Sequence, residues 1–194
     1  MNLVNYRIGS STTEQTSINT TIDEKLIIAH LTKNKNYLET KKKNSSSKYE
    51  SDFLNELIIN NKLIFNINKH EEIYCNFIKN NIEQLYNYLF FRYKFRISGE
   101  QKIVFDAPLY LLIEPVSTCN LRCPFCFQTD KSFTKKPYMG VMKMDLFKRI
   151  ADEANDIGVG AITLASRGEP TLSKNYTDMI EYISTKKNIY EIKT

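Results

Sequence analysis

The amino-acid sequence predicts an α/β protein in which a mostly helical N-terminal region precedes the start of a parallel sheet. Three observations support this fold class: helical spacing of apolar residues before residue 100, short buried apolar runs after it, and amphipathic segments between those runs. A strand, helix, strand, helix, strand order with short loops is typical of a right-handed parallel sheet. Residues 109–194 supply only two and a half such units, so we expect an unfinished sheet.

The region before the sheet divides into two parts by composition. Residues 1–50 are rich in Ser, Thr, Asn and Lys, with one apolar patch at residues 26–31, and we expect them to be weakly ordered. Residues 51–107 are predicted to form a small α or α+β accessory unit. The apolar spacing predicts a helix followed by a strand over residues 53–67, and one long amphipathic helix over residues 71–93 that ends before a turn at Ser98-Gly99.

The third predicted region, residues 108–194, contains the sheet. Residues 109–113 form a short apolar run with a proline on each side, which is typical of a buried strand. Helical spacing over residues 146–157 stops at Gly158, which predicts a helix with a left-handed C-terminal cap. The remaining predicted elements are a strand over residues 161–165, a helix over residues 176–183 and a third strand that begins near Ile189.

Composition and charge narrow the class of protein. The chain has 194 residues, 42% of them hydrophobic, and no apolar stretch of membrane-spanning length, so we expect a soluble globular protein. Residues 1–11 show no secretion signal, and we expect a cytoplasmic location. The net charge of +5 is scattered, and the compact run at residues 41–43 is interpreted as a solvated loop. We therefore expect no membrane binding and no nucleic-acid binding.

Three of the four cysteines lie within eight positions, at Cys119, Cys123 and Cys126. In a cytosolic chain such crowding favours a metal site over disulfides. Thiolates suit iron-sulfur clusters and zinc. A loop of this length can fold around a cube-shaped cluster and present one sulfur to each of three irons. The fourth iron then stays open for a small molecule, unlike in closed clusters with four cysteines.

A zinc site is the alternative interpretation of these cysteines. Cys123 and Cys126 have zinc-knuckle spacing, and Cys75, His70 or His30 could complete the set from a distance. Structural zinc needs four protein ligands that leave no open coordination position, and none of these candidates is close to the three cysteines in the sequence. The sequence therefore favours the iron-sulfur cluster, and Cys75 is predicted to be a small core residue inside a helix.

The cysteine spacing resembles the motif of the radical SAM superfamily. That motif places three and then two residues between its cysteines at the end of the first barrel strand, with an aromatic residue before the last cysteine, and Phe125 occupies that position. The resemblance implies a [4Fe-4S] cluster, S-adenosylmethionine on its open iron, and a flavodoxin-like or ferredoxin-like electron donor. It also implies that residues 108–194 are the N-terminal part of a truncated radical SAM domain, an incomplete (βα) barrel.

The loop after the second predicted strand resembles a second element of that superfamily. Gly168 and Glu169 match its Gly-Gly-Glu element, which binds the amino group of the cofactor's methionine, and Arg167 stands where the family often has its first glycine. A glycine lets the backbone approach a ligand, and a carboxylate beside an ammonium makes a charge-assisted hydrogen bond. We expect Ser166 to add a hydroxyl contact. The predicted cofactor-binding residues are Phe125, Ser166, Gly168 and Glu169, the predicted metal ligands are Cys119, Cys123 and Cys126, and no catalytic residue is assigned.

Three functional hypotheses follow from these motifs. Residues 140–142, 168–170 and 191–194 also resemble the SPASM-type subgroup, which implies a radical SAM enzyme, or the N-terminal portion of one, that modifies a peptide, a protein or a sugar. The second hypothesis is a truncated, catalytically silent iron-sulfur protein. The third is a zinc-binding interaction module built on residues 1–108.

Overall fold

The structure, a computed structural model, describes residues 24–194, which form a helical unit followed by a three-stranded parallel sheet. The helices are α1 (Glu24–Lys33), α2 (Lys35–Asn44), α3 (Lys48–Ile59), α4 (Lys69–Ile78), α5 (Ile82–Glu100), α6 (Met144–Asp156) and α7 (Tyr176–Ser184). The strands are β1 (Tyr110–Ile113), β2 (Ala161–Leu164) and β3 (Glu191–Lys193), and short 3-10 helices lie at Phe127–Thr129, Lys131–Thr134 and Pro170–Leu172. None of the helices in this part of the chain has the length and apolar character needed to cross a membrane.

Helices α1 to α5 share one apolar cluster. Its fully buried members include Leu31, Leu38, Leu54, Leu57, Leu85 and Leu89. The ring of Phe53 in α3 stacks on that of Tyr93 in α5, with centroids 5.6 Å apart. Because short helices are marginal alone, this shared cluster provides most of the stability of the unit.

The N-terminal helices differ from the expected weak order of residues 1–50. Residues 1–23 lie outside the described part of the chain, whereas α1 and α2 are regular helices. Leu31 and Leu38 are buried with the apolar patch of α1, and this face is sufficient to hold two helices that are otherwise rich in Asn and Lys. The lysines at 41–43 accordingly lie in the last turn of α2, where cations favour the helix dipole, and not in a loop.

The region between residues 60 and 100 also differs from the prediction. The strand predicted within residues 53–67 is wrong, because the alternating residues after α3 form an irregular segment that buries Leu63 against the helices. The single long helix is two helices, separated where the side chain of Asn81 accepts a hydrogen bond from Gln84 N (3.1 Å) and caps α5. Helix α5 runs through the predicted turn at Ser98-Gly99.

The sheet follows the prediction from the sequence. Its order is β1-β2-β3 with parallel pairing, and Leu112, Thr163 and Lys193 lie in register. Helices α6 and α7 cover one face with Phe147, Ala151, Met179 and Ile183, which are buried with Ile162 and Leu164. Gly158 has a φ of 80°, which confirms the left-handed cap after α6. The α/β class and a small parallel sheet are thus confirmed.

Helix α5 joins the helical unit to the amino end of the sheet. A Cβ at Gly160 would lie 2.2 Å from the ring of Phe91, so glycine is needed there for α5 to approach β2. The Arg92 guanidinium bridges Glu191 of β3 (3.0 Å) and Glu71 of α4 (2.6 Å). These contacts occupy the amino end of the strands and leave the carboxyl edge to the loops.

Candidate functional site

Two loops meet at the carboxyl edge of the sheet. The first follows β1 and contains the cysteines at 119, 123 and 126, and the second follows β2 and comprises residues 165–170. Parallel strands place such loops side by side, at the edge where α/β proteins bind ligands. The backbones of the two loops are joined by a hydrogen bond, in which Glu169 N donates to Thr118 O at 3.0 Å.

Gly168 marks the closest approach of the two loops. A Cβ built at this position would lie 1.8 Å from the carbonyl oxygen of Val116 and 2.9 Å from the carbonyl carbon of Ser117. Such distances are far inside van der Waals contact, so any other residue would force the backbones apart. The requirement for glycine therefore arises from the protein itself, in addition to the ligand approach expected from the sequence.

An ion pair between Glu114 and Arg167 fastens the second loop to the end of β1. The Glu114 carboxylate accepts hydrogen bonds from Arg167 N (2.9 Å), Arg167 Nε (2.9 Å) and Arg167 Nη2 (2.7 Å), and from Ser117 Oγ (2.7 Å). Burial opposes ionisation of Glu114, but the hydrogen bonds from Arg167 and Ser117 outweigh it and hold the pKa of this carboxyl below its ordinary value. The same pairing raises the pKa of Arg167.

Gln128 is a second bridge between the loops. Its side-chain amide donates to Ser117 O and to Arg167 O, both at 2.8 Å. One residue shortly after Cys126 therefore contacts the backbone of both loops. Neither Gln128 nor Glu114 belongs to a motif that singles it out in the sequence. The position of Glu114 directly after a buried strand is a signal that could have identified it, whereas the role of Gln128 becomes visible only in the fold.

The segment that returns to α6 supports the base of the cysteine loop. Val116 and Val141 form an antiparallel bridge. Two backbone hydrogen bonds flank it, from Ser117 N to Gly140 O (3.0 Å) and from Met142 N to Pro115 O (2.8 Å). The loop thus starts and ends at a fixed point beside β1.

The three cysteines lie in this loop as free, partly exposed thiols. Cys126 N donates to Cys123 O (3.0 Å), and the Arg122 guanidinium donates to Cys119 O (3.1 Å). Within residues 24–194, no three His, Cys, Asp or Glu side chains converge on the position of a single metal ion. Cluster ligands each bind a different iron and need not converge, so three neighbouring thiols suit a cluster with one open iron.

The fourth cysteine is remote from the loop. Cys75 in α4 is fully buried in the helical cluster, which confirms its prediction as a core residue. Burial, aided by the nearby carboxylate of Glu71, raises the pKa of the Cys75 thiol to about 12. Metal binding requires the thiolate, so this thiol is a poor ligand at neutral pH.

The predicted cofactor-binding residues lie on these two loops. The ring of Phe125 is 91% exposed on the cysteine loop. On the second loop, Glu169 Oε1 accepts from Thr171 Oγ1 (2.6 Å) and Thr171 N (3.3 Å), which fixes the carboxylate beside Gly168. Ser166 has a φ of 152°, a backbone region that favours glycine, and strain of this kind is typical of functional loops.

Comparison with known families agrees with the resemblance of the two loops to radical SAM motifs. Residues 113–194 match the family model described as Radical SAM superfamily, and this stretch begins at the last residue of β1 and includes both loops. The SPASM-type subgroup is not among these findings and stays a prediction.

Curated relatives match less than half of the chain. The GTP 3',8-cyclase of Desulforamulus reducens is 35% identical over 83 residues, which is 43% of this chain and 25% of that protein. The GTP 3',8-cyclase of Vibrio parahaemolyticus is 25% identical over 85 residues, 44% of this chain and 25% of that protein. The tungsten-containing aldehyde ferredoxin oxidoreductase cofactor-modifying protein of Pyrococcus furiosus is 33% identical over 78 residues, 40% of this chain and 21% of that protein. The chain spans about a quarter of the length of these relatives, and no solved structure matches it.

Proposed function

We propose that this chain is a radical SAM enzyme or the N-terminal portion of one, with residues 108–194 as the first part of an incomplete (βα) barrel. One observation carries the proposal: three cysteines with the family's spacing lie in a loop at the carboxyl end of β1, bonded to the second loop after β2. The Radical SAM match over residues 113–194 and the enzyme names of the relatives support it.

The metal part of the proposal rests on the thiols of Cys119, Cys123 and Cys126. Each would bind one iron of a [4Fe-4S] cluster and leave the fourth iron to S-adenosylmethionine. When bound and reduced by a flavodoxin-like or ferredoxin-like donor, this cofactor pair supplies a 5′-deoxyadenosyl radical that takes hydrogen from a substrate. The protein's contribution is to hold both partners in place.

The second loop would hold the methionine end of S-adenosylmethionine. We assign this contact to the backbone at Gly168 and to the carboxylate of Glu169, with the Ser166 hydroxyl beside them and the Phe125 ring against the adenine. The guanidinium of Arg167 is held by Glu114 through Nε and Nη2, so its role in this structure is to fix the second loop to the end of β1. Arg167 thus positions the loop at the place where the Gly-Gly-Glu element that this sequence resembles often has its first glycine.

The substrate proposal is broader than the cofactor proposal. The resemblance to the SPASM-type subgroup favours a peptide, a protein or a sugar as substrate. Two of the relatives are named GTP 3',8-cyclase, so a nucleoside triphosphate is a further candidate substrate. The matched residues include the cysteine loop and the second loop. The match therefore supports the proposed cofactors more strongly than it supports any of these substrates. We place the protein in the cytoplasm, where thiols stay reduced.

Anaerobic reconstitution of the chain with iron and sulfide tests the proposal. We expect bound iron and sulfide in the ratio of a four-iron cluster, and a paramagnetic signal on reduction whose shape changes when S-adenosylmethionine is added. Cleavage of S-adenosylmethionine to methionine and 5′-deoxyadenosine separates an active enzyme from a silent iron-sulfur protein. Zinc in place of iron in an oxygen-protected preparation would instead support the interaction module.

A further inference from the structure

An exposed aromatic and positively charged surface lies directly after the cysteine loop. We call it the basic aromatic surface, and it consists of Phe127, Lys131, Phe133, Lys135, Lys136 and Tyr138. All six side chains belong to residues that are exposed to solvent. None of these six residues has a role in the cluster binding or cofactor binding proposed above.

The three rings of this surface form a row. The rings of Phe127 and Phe133 meet edge to face with centroids 5.6 Å apart, and those of Phe133 and Tyr138 are also 5.6 Å apart. Phe127, Phe133 and Tyr138 nevertheless remain 43%, 38% and 48% exposed. Aromatic groups that pack on each other yet stay open to solvent are typical of protein interaction sites.

The backbone holds these side chains in a defined arrangement. The carboxylate of Asp130 accepts a hydrogen bond from Ser132 N (2.9 Å), and Phe133 N donates to Asp130 O (3.2 Å). Tyr138 N donates to Lys135 O at 2.9 Å. The surface is therefore a preformed structure of successive turns, which lowers the entropy lost on binding a partner.

The charge of this surface is positive. Residues 127–138 contain three lysines and one acidic residue, Asp130, whose carboxylate is already occupied as a cap. Within the described part of the chain, none of these three lysines takes part in a salt bridge. A surface of this kind is complementary to a protein with an acidic face.

We propose that the basic aromatic surface docks an acidic one-electron carrier protein that reduces the cluster. The proposal rests on the proposed function, because it needs a redox centre at the cysteines. Phe127 directly follows Cys126, so a carrier seated on the rings lies beside a cluster ligand. One electron passes from the reduced carrier to the cluster, which leaves the carrier oxidised by one electron and requires no bond or proton to move.

The test compares two electron sources on the reconstituted 194-residue chain. Stopped-flow absorbance would follow cluster reduction by a reduced, acidic flavodoxin and, separately, by dithionite. The surface variant is K131E/K135E/K136E. The matched control is K33E/K42E/K43E, which makes the same charge change at exposed lysines of α1 and α2.

We expect the surface variant to slow the second-order reaction with flavodoxin by about tenfold or more at low salt, because charge steering controls association rates. The difference should shrink at high salt, and the control should change the rate by less than about twofold. Reduction by dithionite should be the same in all three proteins. A Phe133→Ser variant should also slow the flavodoxin reaction, with little dependence on salt.

Two outcomes would overturn the docking proposal while leaving the proposed function intact. One is a normal cluster in every protein with equal flavodoxin rates for the surface variant and the control. The other is an unchanged flavodoxin rate together with lysine-dependent binding of a single-stranded oligonucleotide, which would assign the surface to nucleic acid. Failure of the unmodified chain to form a reducible cluster would instead remove the proposed function.

Discussion

The two loops at the carboxyl edge of the sheet are held in different ways. The second loop is fastened by the protein itself, through the Glu114–Arg167 pair, the contact of Gly168 with Val116 and the bridging amide of Gln128. The cysteine segment, residues 119–126, has mainly local hydrogen bonds and a nearly fully exposed Phe125. The comparison indicates that contacts within the protein fix the second loop, whereas the proposed cluster would complete the arrangement of the cysteines.

Replacement of a cluster cysteine should give the largest effect. Cys123→Ala removes one of three thiolates, so we expect loss of the four-iron signal and of most bound iron after reconstitution, measured by metal analysis and paramagnetic resonance. The thermal midpoint of the metal-free protein should hardly change, because this thiol is partly exposed and buries little.

Cys75→Ala is the matched control for the cysteine variant. It should keep the iron but destabilise the fold by about 1 kcal/mol, because it leaves a small cavity in the helical cluster. Loss of iron in this variant would show that Cys75 is a ligand and would contradict the assignment of the open iron.

Substitution at Gly168 should affect the metal-free protein most. The methyl group of Gly168→Ala would overlap the carbonyl of Val116, so we expect a loss of about 2–3 kcal/mol in the free energy of unfolding. Urea denaturation of the metal-free protein measures it. Gly140→Ala is the control, since a Cβ there meets nothing within 4 Å, and it should cost less than about 0.5 kcal/mol. Equal effects at both positions would mean that the second loop is not fixed in advance.

Removal of the charge at Glu114 should have a smaller, pH-dependent effect. Glu114→Gln weakens the charge-assisted bonds to Arg167 and should cost about 2 kcal/mol at neutral pH. Because the pKa of Glu114 is lowered in the folded state, its stabilisation is complete above the unfolded pKa of about 4.3 and is lost as pH falls through the folded value. The unfolding free energies of the two proteins should therefore converge below about pH 4. Parallel curves down to strongly acidic pH would show that the ion pair does not stabilise the loop.

The smallest expected effect is at Ser166. Its φ of 152° favours glycine, so Ser166→Gly should raise the free energy of unfolding by up to about 1 kcal/mol, offset in part by the greater entropy of glycine in the unfolded chain. Differential scanning calorimetry of the metal-free protein measures the shift. A fall in stability would show that the hydroxyl of Ser166 contributes more than the backbone strain costs.

The sheet and its two loops were predictable from the sequence because their signals are local. Pro108 and Pro115 flank β1, Gly160 directly precedes β2, and the helix before Gly158 has a regular apolar spacing. The helical unit was less predictable, since α1 and α2 are rich in Asn and Lys and are held by a few apolar residues such as Leu31 and Leu38. The break between α4 and α5 depends on a single N-cap at Asn81. The apolar spacing continues across this break, so the sequence pattern does not reveal it.

The contacts between the loops could not be read from the sequence. Glu114 and Arg167 are 53 positions apart, and Gln128 and Arg167 are 39 apart, so the chain alone gives no pairing. The cysteine motif and the Gly-Glu element predict where the candidate site lies, but the reason for glycine at 168 appears only when Val116 lies beside it. Local motifs thus identify the site, and long-range packing fixes its geometry.

The most direct test of the central claim is Mössbauer spectroscopy of the chain reconstituted with ⁵⁷Fe, before and after S-adenosylmethionine is added. If Cys119, Cys123 and Cys126 leave one iron open, one quarter of the iron signal should shift on addition while the other three quarters stay unchanged. A four-iron spectrum that S-adenosylmethionine leaves unaltered would contradict the account, because the fourth iron would then be closed by another ligand.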